Sequence, residues 1–276
     1  MEIRIRVGKF NVEQYIPRIQ KRMFIFAHLA GISLSDLFRL RDLGNFIRDR
    51  GAFERDMSRT EGKWLIESYP ILGDRYASSG NASGHYFHQD LLVAQKIFLA
   101  NPRKHVDIGS RVDGFIAHVA SFREIEVFDI RPMEMSRPNV RFVKMDLMKD
   151  CSDYTDYCDS ISSLHAIEHF GLGRYGDRID VNGHIKGLDS IYRMLKKRGI
   201  FYFSVPIGRQ RVEFNAHRVF SPRYLLDLLK ERYEMLSFSY VDDAGTLHAD
   251  TPLDKVVLER DFGCEYGCGI FELRKR

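Results

Sequence analysis

Four cysteines in 276 residues are too few to staple a domain of this size, and a chain this long needs no staples to bury a core. Cys151, Cys158, Cys264 and Cys268 form no C-x-x-C pair. That excludes a disulfide scaffold and the usual cysteine zinc sites, so no metal ligands are assigned and the thiols read as those of a reduced, cytoplasmic protein. Long apolar runs are also missing. The best of them, Met23-Phe-Ile-Phe-Ala-His-Leu-Ala-Gly-Ile-Ser-Leu34, falls well short of the ~20 residues a spanning helix needs. Lys21-Arg22 before it mimic a secretion signal, but His28 interrupts the run and no A-x-A cleavage site follows before Asp36. An excess of charge of one sign is lacking too. Lys and Arg total 42 against 38 Asp and Glu, and a net charge of +4 is too small to indicate nucleic acid as a partner. With 44% apolar and 29% charged residues, disorder is not the default, and there is no repeat or low-complexity tract.

What is present begins with an alternating edge-strand pattern at Met1–Val7 and helical spacing from Val12 to about Arg59. Ser33 or Ser35 is placed to cap a helix through Arg50 that interleaves Arg39, Arg41, Arg48 and Arg50 with Leu37, Phe38, Leu40, Leu43, Phe46 and Ile47. Packing against the main domain is the plainer reading of that helix. Peripheral contact with an anionic membrane, at its inner face, is the alternative. Residues 1–76 therefore read as a helical extension and 77–276 as the main domain. After a small-residue loop at Ser78–Gly84, His85–Ala100 has helical spacing and ends at Asn101-Pro102. His85 and His88 read most simply as a polar start to that helix.

Beyond Pro102 strands alternate with helices. The expected strands are His105–Ile108, Ile125–Ile130, Val140–Lys144, Tyr157–Leu164, Ile200–Val205, Met235–Val241 and Gly269–Leu273, with helices over Val181–Lys197 and Pro222–Glu231. This pattern predicts an α/β fold with a doubly wound, mostly parallel sheet.

The first strand runs into Asp107-Ile-Gly-Ser-Arg-Val-Asp-Gly114, a turn of the kind that brings backbone N–H groups to a ligand. Gly109 and Gly114 have P-loop spacing, but Phe115 and Ile116 follow where Lys and Ser/Thr are required. Arg111 occupies the place of the second glycine of a dinucleotide fingerprint. An acid two residues before Gly109 suits a ligand with an ammonium group and hydroxyls. Asp107 is placed for the amino-acid end of S-adenosylmethionine, Asp129 for ribose hydroxyls and Asp146 for the adenine amino group.

The order Asp107-x-Gly-Ser, Asp129, Asp146, Ser163-Leu-His-Ala-Ile-Glu-His169 resembles the class I S-adenosylmethionine-dependent methyltransferases over roughly Val106–Val241. The resemblance implies a Rossmann-like methyltransferase fold, S-adenosylmethionine as cofactor, and a cofactor set of Asp107, Gly109, Ser110, Gly114, Asp129, Asp146 and Leu164. Three longer strings resemble a methyltransferase-like family of bacterial surface-polysaccharide clusters and nematodes that carries no assigned activity. They are Gly84-His-Tyr-Phe-His-Gln-Asp90, Ser162-Ser-Leu-His-Ala-Ile-Glu-His-Phe-Gly-Leu-Gly-Arg-Tyr-Gly-Asp177 and Phe214-Asn-Ala-His-Arg-Val-Phe-Ser-Pro222. This resemblance implies methyl transfer to a hydroxyl of a sugar or glycan precursor. Arg111 and Asp113, where more glycines are common, motivate the alternative of a degenerate binding module.

His165-x-x-Glu168-His169 matches the inverted zinc-protease motif in letters only. His165 falls at a strand end and Gly171, Gly173 and Gly176 break any helix beyond it. Beside a reactive methyl group, His165, Glu168, His169 and His217 are instead the candidate bases and orienting groups, with bracing of the loop by hydrogen bonds as the equal alternative for Glu168 and His169. Gly171–Asp177 reads as a mobile flap, with Arg174, Tyr175 and Arg218 toward the substrate.

Overall fold

The computed structural model describes residues 34–61, 64–133, 137–254, 258 and 260–276. The strand expected at Met1–Val7 and the helix leading to Leu29 lie outside the described residues. Contacts divide the chain into two units, Met1–Asn81 and Ala82–Arg276.

In the first unit, helix α1 (Leu34–Met57) continues past the expected end at Arg50. Arg50 and Glu54, four residues apart and 2.9 Å between charges, link the turns beyond that point. A 3-10 turn at Asp74–Tyr76 follows, where Arg75 pairs with Asp49. Among the described residues no helix is long and apolar enough to cross a membrane.

The second unit opens with α2 (His85–Ala100), which ends where Asn101 takes a left-handed conformation and its N–H returns to the carbonyl of Ile97. Then come β1 (His105–Ile108), a π-helical turn at Val112–Ile116, the short α3 (Ala117–Ala120), β2 (Ile125–Asp129), β3 (Val140–Lys144) and β4 (Cys158–Leu164). Helix α4 (Gly183–Met194) runs directly into β5 (Leu195–Ile207). The expected end at Lys197 is cut short because Leu195 pairs with Cys158 in the sheet. A small hairpin, β6 (Arg211–Glu213) with β7 (His217–Val219), precedes α5 (Pro222–Leu229), β8 (Tyr233–Val241), β9 (Leu247–His248) and β10 (Gly267–Lys275).

The main sheet has the order β3-β2-β1-β4-β5-β10-β8-β9. β1 to β5 are parallel, and β10 lies antiparallel between β5 and β8. The sheet is therefore doubly wound and mostly parallel, as expected from strand–helix alternation. The chain departs in opposite directions from β1 and β4, and the ends of these neighbours form the crevice where open α/β sheets bind ligands.

Central strands carry polar residues for a local reason. β1 is buried at every position, so His105 and Asp107 must find partners within the sheet. Ser160 and Ser162 of β4 supply them, at 2.8 and 3.1 Å from the two His105 ring nitrogens, and Ser162 Oγ donates to Asp107 at 2.6 Å. Burial pushes the His105 imidazole down to about 3. The helices cover both faces of the sheet. Val93, Ile97, Phe115, Ile116 and Val119 pack with Val127 and Tyr202 on one side, while Leu188, Ile191 and Leu225 join Phe201, Phe203 and Phe271 on the other.

Candidate active site

A cleft open to solvent lies beyond the carboxyl ends of β1 to β4 and encloses ≈ 530 Å³ together with the solvent at its mouth. Ile108 and Gly109 follow from β1, Phe128 to Arg131 from β2, Met145 to Met148 from β3, and His165, Ala166, His169 and Phe170 from β4; Tyr175 and Asp177 complete it. Gly109 has a φ of 69°, and a Cβ there would lie 3.0 Å from the Ala166 methyl. Only glycine holds this conformation without strain.

The strand-end acids divide into two uses. Asp129 and Asp146 line the cavity. Asp129 Oδ1 accepts from the backbone N–H and Nε of Arg131 at 2.8 and 3.0 Å, and Oδ2 accepts from its Nη2 at 2.6 Å. Asp146 Oδ1 accepts from the Met148 N–H at 3.0 Å, fixing the next turn. Asp107 is placed otherwise. Its carboxyl is fully buried and accepts from Ser110 N–H at 2.9 Å, Ser110 Oγ at 2.6 Å and Ser162 Oγ at 2.6 Å. Burial pushes this carboxyl up to about 7 against those hydrogen bonds. The expectation that Asp107 meets a ligand's ammonium group gives way to a supporting role, since its acceptors are directed at the turn. Ser110 Oγ in turn accepts from the Leu164 N–H at 3.0 Å, so Ser110 and Leu164 tie β1 to β4 behind the cavity. Gly114 does not line it either. A Cβ there would meet Asp90 Oδ2 at 2.4 Å, so its glycine is needed for the approach of α2.

His165 and His169 come together on the cavity wall. His165 adopts a left-handed φ of 53°, an uncommon conformation for a residue with a side chain. Its Nδ1 lies 2.8 Å from Glu168 Oε1, and both side chains are buried. Burial opposes the charge on His165, but Cys268 and the Glu168 carboxylate outweigh it and hold the imidazole well above its ordinary value. Glu168, despite its own burial, is kept below the usual carboxylate range by His165. His169 Nδ1 is 2.7 Å from the Ala216 carbonyl. A carbonyl only accepts, so Nδ1 carries the proton and the neutral ring has its lone pair at Nε2. Burial lowers the His169 pKa, with Glu168 acting in the opposite direction. His217 lies behind this ring with centroids 6.4 Å apart, and its Nε2 is 3.1 Å from Glu213 Oε2.

The segment read as a mobile flap is wound around one carboxylate. Asp177 accepts from the N–H groups of Gly171, Gly173 and Tyr175 at 2.7 to 3.2 Å. At Gly171, with φ of 79°, a Cβ would stand 2.0 Å from the Asp180 carbonyl. Tyr175 reaches the cavity and carries the Arg131 guanidinium 4.4 Å over its ring. Arg174 is exposed and donates to the Ala216 carbonyl at 2.9 Å.

Arg218 is not at a substrate position. It is buried and donates to the carbonyls of Glu168, Phe170, Asp180 and Val181 at 2.6 to 3.4 Å, clamping both ends of the loop. Arg218→Met should lower stability by about 3 kcal/mol, because it strands several buried carbonyls. It should also expose residues 171–181 to protease. A denaturant titration showing a loss below about 1 kcal/mol would contradict the clamp.

Arg131, which lines the cavity, and Tyr266 carry no signal in the motifs, and Tyr86 carries one only as a member of the string Gly84–Asp90; the two tyrosines pack around the histidines. Tyr86 and His85 lie 5.2 and 5.3 Å from the His165 ring, and Tyr266 lies 5.4 Å from His85 and 5.1 Å from His217. The sequence hint was the string Gly84–Asp90, whose histidines were more simply a helix start.

A protein-family profile described as "Caenorhabditis protein of unknown function, DUF268" matches residues 122–254, just under half of the chain. No curated protein matches significantly. Among solved structures, the N-methyltransferase NodS from Bradyrhizobium japonicum WM9, in complex with S-adenosyl-l-homocysteine, is 11% identical, with 70% of this chain and 88% of that one covered and a TM-score of 0.47. The 1,6-didemethyltoxoflavin-N1-methyltransferase of Burkholderia thailandensis, with bound 1,6-didemethyltoxoflavin and S-adenosylhomocysteine, is 16% identical over 67% and 78% of the two chains, with a TM-score of 0.46. The [4+2]-cyclase SpnF is 14% identical over 68% and 80%, with a TM-score of 0.47. Likeness at this level of identity carries no reaction with it.

Proposed function

We propose that the chain is an S-adenosylmethionine-dependent methyltransferase that methylates a hydroxyl of a sugar or glycan precursor in surface-polysaccharide biosynthesis, in the cytoplasm or at the inner face of its membrane. The observation that supports cofactor binding is the meeting of Gly109, Asp129 and Asp146 around one cavity. The residues fit that ligand. Gly109 leaves room beside Ala166, Asp129 offers a carboxylate to ribose hydroxyls, and Asp146 offers one to the adenine amino group, with Phe128, Met145, Leu147 and Met148 as apolar surroundings. When bound, S-adenosylmethionine supplies an electrophilic methyl group.

The chain's own contribution at that point is to orient an acceptor and take its proton. His169 is the base, because its Nδ1–H is committed to the Ala216 carbonyl and Nε2, 3.8 Å from Glu168 Oε1, is left with the lone pair. The loop around Asp177, closed by Tyr175 on Arg131, limits water at the cavity. The sugar acceptor and the polysaccharide setting rest on the resemblance of the three long strings alone. Arg111 and Asp113, the motive for a degenerate module, pair with each other in solvent at 2.8 Å, and neither lines the cavity.

Isothermal titration of roughly 100 µM protein with S-adenosylmethionine and S-adenosylhomocysteine tests the reading, a concentration suited to micromolar affinities. Saturable heat with both is expected. The absence of heat with either sinks it.

A further inference from the structure

The side of the histidine cluster away from Glu168 faces α2 and β10. His85 at the start of α2, His165 after β4 and Cys268 on β10 bring one nitrogen or sulfur each to within 4.8 Å of one another. His165 Nε2 is buried and has no hydrogen-bond partner, which is rare for a polar atom in a folded interior. Cys268 is fully buried; its sulfur makes long contacts of 3.5 Å to Gln89 Oε1 and 3.9 Å to the Gly269 carbonyl, and it also faces the His165 ring, whose charge it favours.

We propose that His85, His165 and Cys268 form a zinc site at the wall of the cavity. Two imidazoles and a thiolate are a borderline-soft donor set that suits Zn²⁺. Zinc bonds of about 2.0–2.3 Å in a tetrahedral arrangement separate ligand atoms by roughly 3.3–3.6 Å. The His85 and His165 rings are stacked within 7° of parallel, so metal binding requires the partly buried His85 ring to turn out of the stack as the three atoms draw together by about 1 Å.

The surroundings are those of metal-binding histidines, whose second ring nitrogen is normally held by a carboxylate or carbonyl. His165 Nδ1 is 2.8 Å from Glu168 Oε1, which directs Nε2 to the metal. His85 interacts likewise with the backbone of Tyr266. The ion takes the place of a proton on His165 Nε2 and of the Cys268 thiol proton, so binding releases protons. Three protein ligands leave a fourth position for water or a hydroxyl, as in catalytic zinc sites. The three residues are scattered along the chain with no short spacing between them, so no motif announces the site.

Titration of the full chain with Co²⁺ as a spectroscopic stand-in, followed by competition with Zn²⁺, tests this. One equivalent of Co²⁺ should bind with a thiolate-to-cobalt charge-transfer band, and Zn²⁺ should abolish it stoichiometrically. Cys268→Ser should remove the band, and His85→Ala should weaken Zn²⁺ binding at least 100-fold while the circular dichroism stays that of the parent. His85 is only partly buried, so its variant remains informative where the Cys268 variant does not fold. A parent protein without the charge-transfer band overturns the site, as does Zn²⁺ affinity unchanged in the folded His85→Ala protein. Because the readout is metal binding alone, its failure leaves the cofactor titration standing, and the reverse also holds.

Discussion

Asp129→Ala should bind S-adenosylhomocysteine about 100-fold more weakly than the parent while folding normally. The carboxylate ends β2, lines the cavity, and matches a ribose diol because it offers several lone pairs from one rigid position. Hydrogen bonds to a charged acceptor are worth about 1.5–3 kcal/mol each, and two of them, less the guanidinium contact the diol displaces, account for a loss of this size. Of roughly four acceptor positions on a carboxylate, three are taken by Arg131. The diol must therefore displace at least one guanidinium contact. That competition predicts a different outcome at the neighbouring position, where Arg131→Ala should bind S-adenosylhomocysteine as tightly as the parent or more tightly. Calorimetry on the two variants decides the matter. Equal affinity of Asp129→Ala and the parent would remove Asp129 from the ligand.

Much of the sheet was legible because its strands obey simple rules. β1 and β3 fall where expected, and β2 and β4 differ by a residue at one end. Short apolar strands between helical patterns leave little freedom once turns are marked by glycine and proline. The long strand β5 was underestimated because Lys196, Lys197 and Arg198 look helical or loop-like, whereas β5 begins directly at the end of α4. The antiparallel insertion of β10 between β5 and β8 is a matter of long-range pairing that local periodicity does not encode.

The site was legible as a set of strand ends and less so as a set of contacts. Position along the chain placed Gly109, Asp129, Asp146, His165 and His169 at one edge, and the cavity unites them. Direction of the side chains is what sequence left open. Asp107 turns inward because Ser110 and Ser162 satisfy it there, and a partly satisfied carboxylate in a central strand would be costly. Arg218 was read by its charge as a substrate contact, but its five donors fit the cluster of carbonyls at the loop ends better than an open surface. Charge alone does not distinguish an arginine that binds a ligand from one that shapes the loop covering it.

His169→Ala should slow methyl transfer by 10²–10⁴-fold, the range for losing a general base, while S-adenosylhomocysteine affinity stays within a few-fold of the parent. The separation matters because removing a merely structural histidine would disturb binding as much as turnover. The pH profile supplies an independent sign. A base works in its neutral form, so kcat/KM falls as pH drops through the His169 pKa. Burial lowers that pKa, which puts the acid limb below the ordinary histidine value of about 6.5. Glu168 pulls the pKa up, while Arg174 and His165 push it down, and the rings of Tyr175 and His217 face it at 5.4 and 6.4 Å. Arg174 is exposed and removable without disturbing the core. Arg174→Ala should therefore raise the His169 pKa and move the acid limb to higher pH, measured as initial rates of S-adenosylhomocysteine production with a hydroxyl acceptor. A limb that stays in place in Arg174→Ala, or a His169→Ala enzyme within three-fold of the parent rate, would transfer the role of base to another group on the cavity wall.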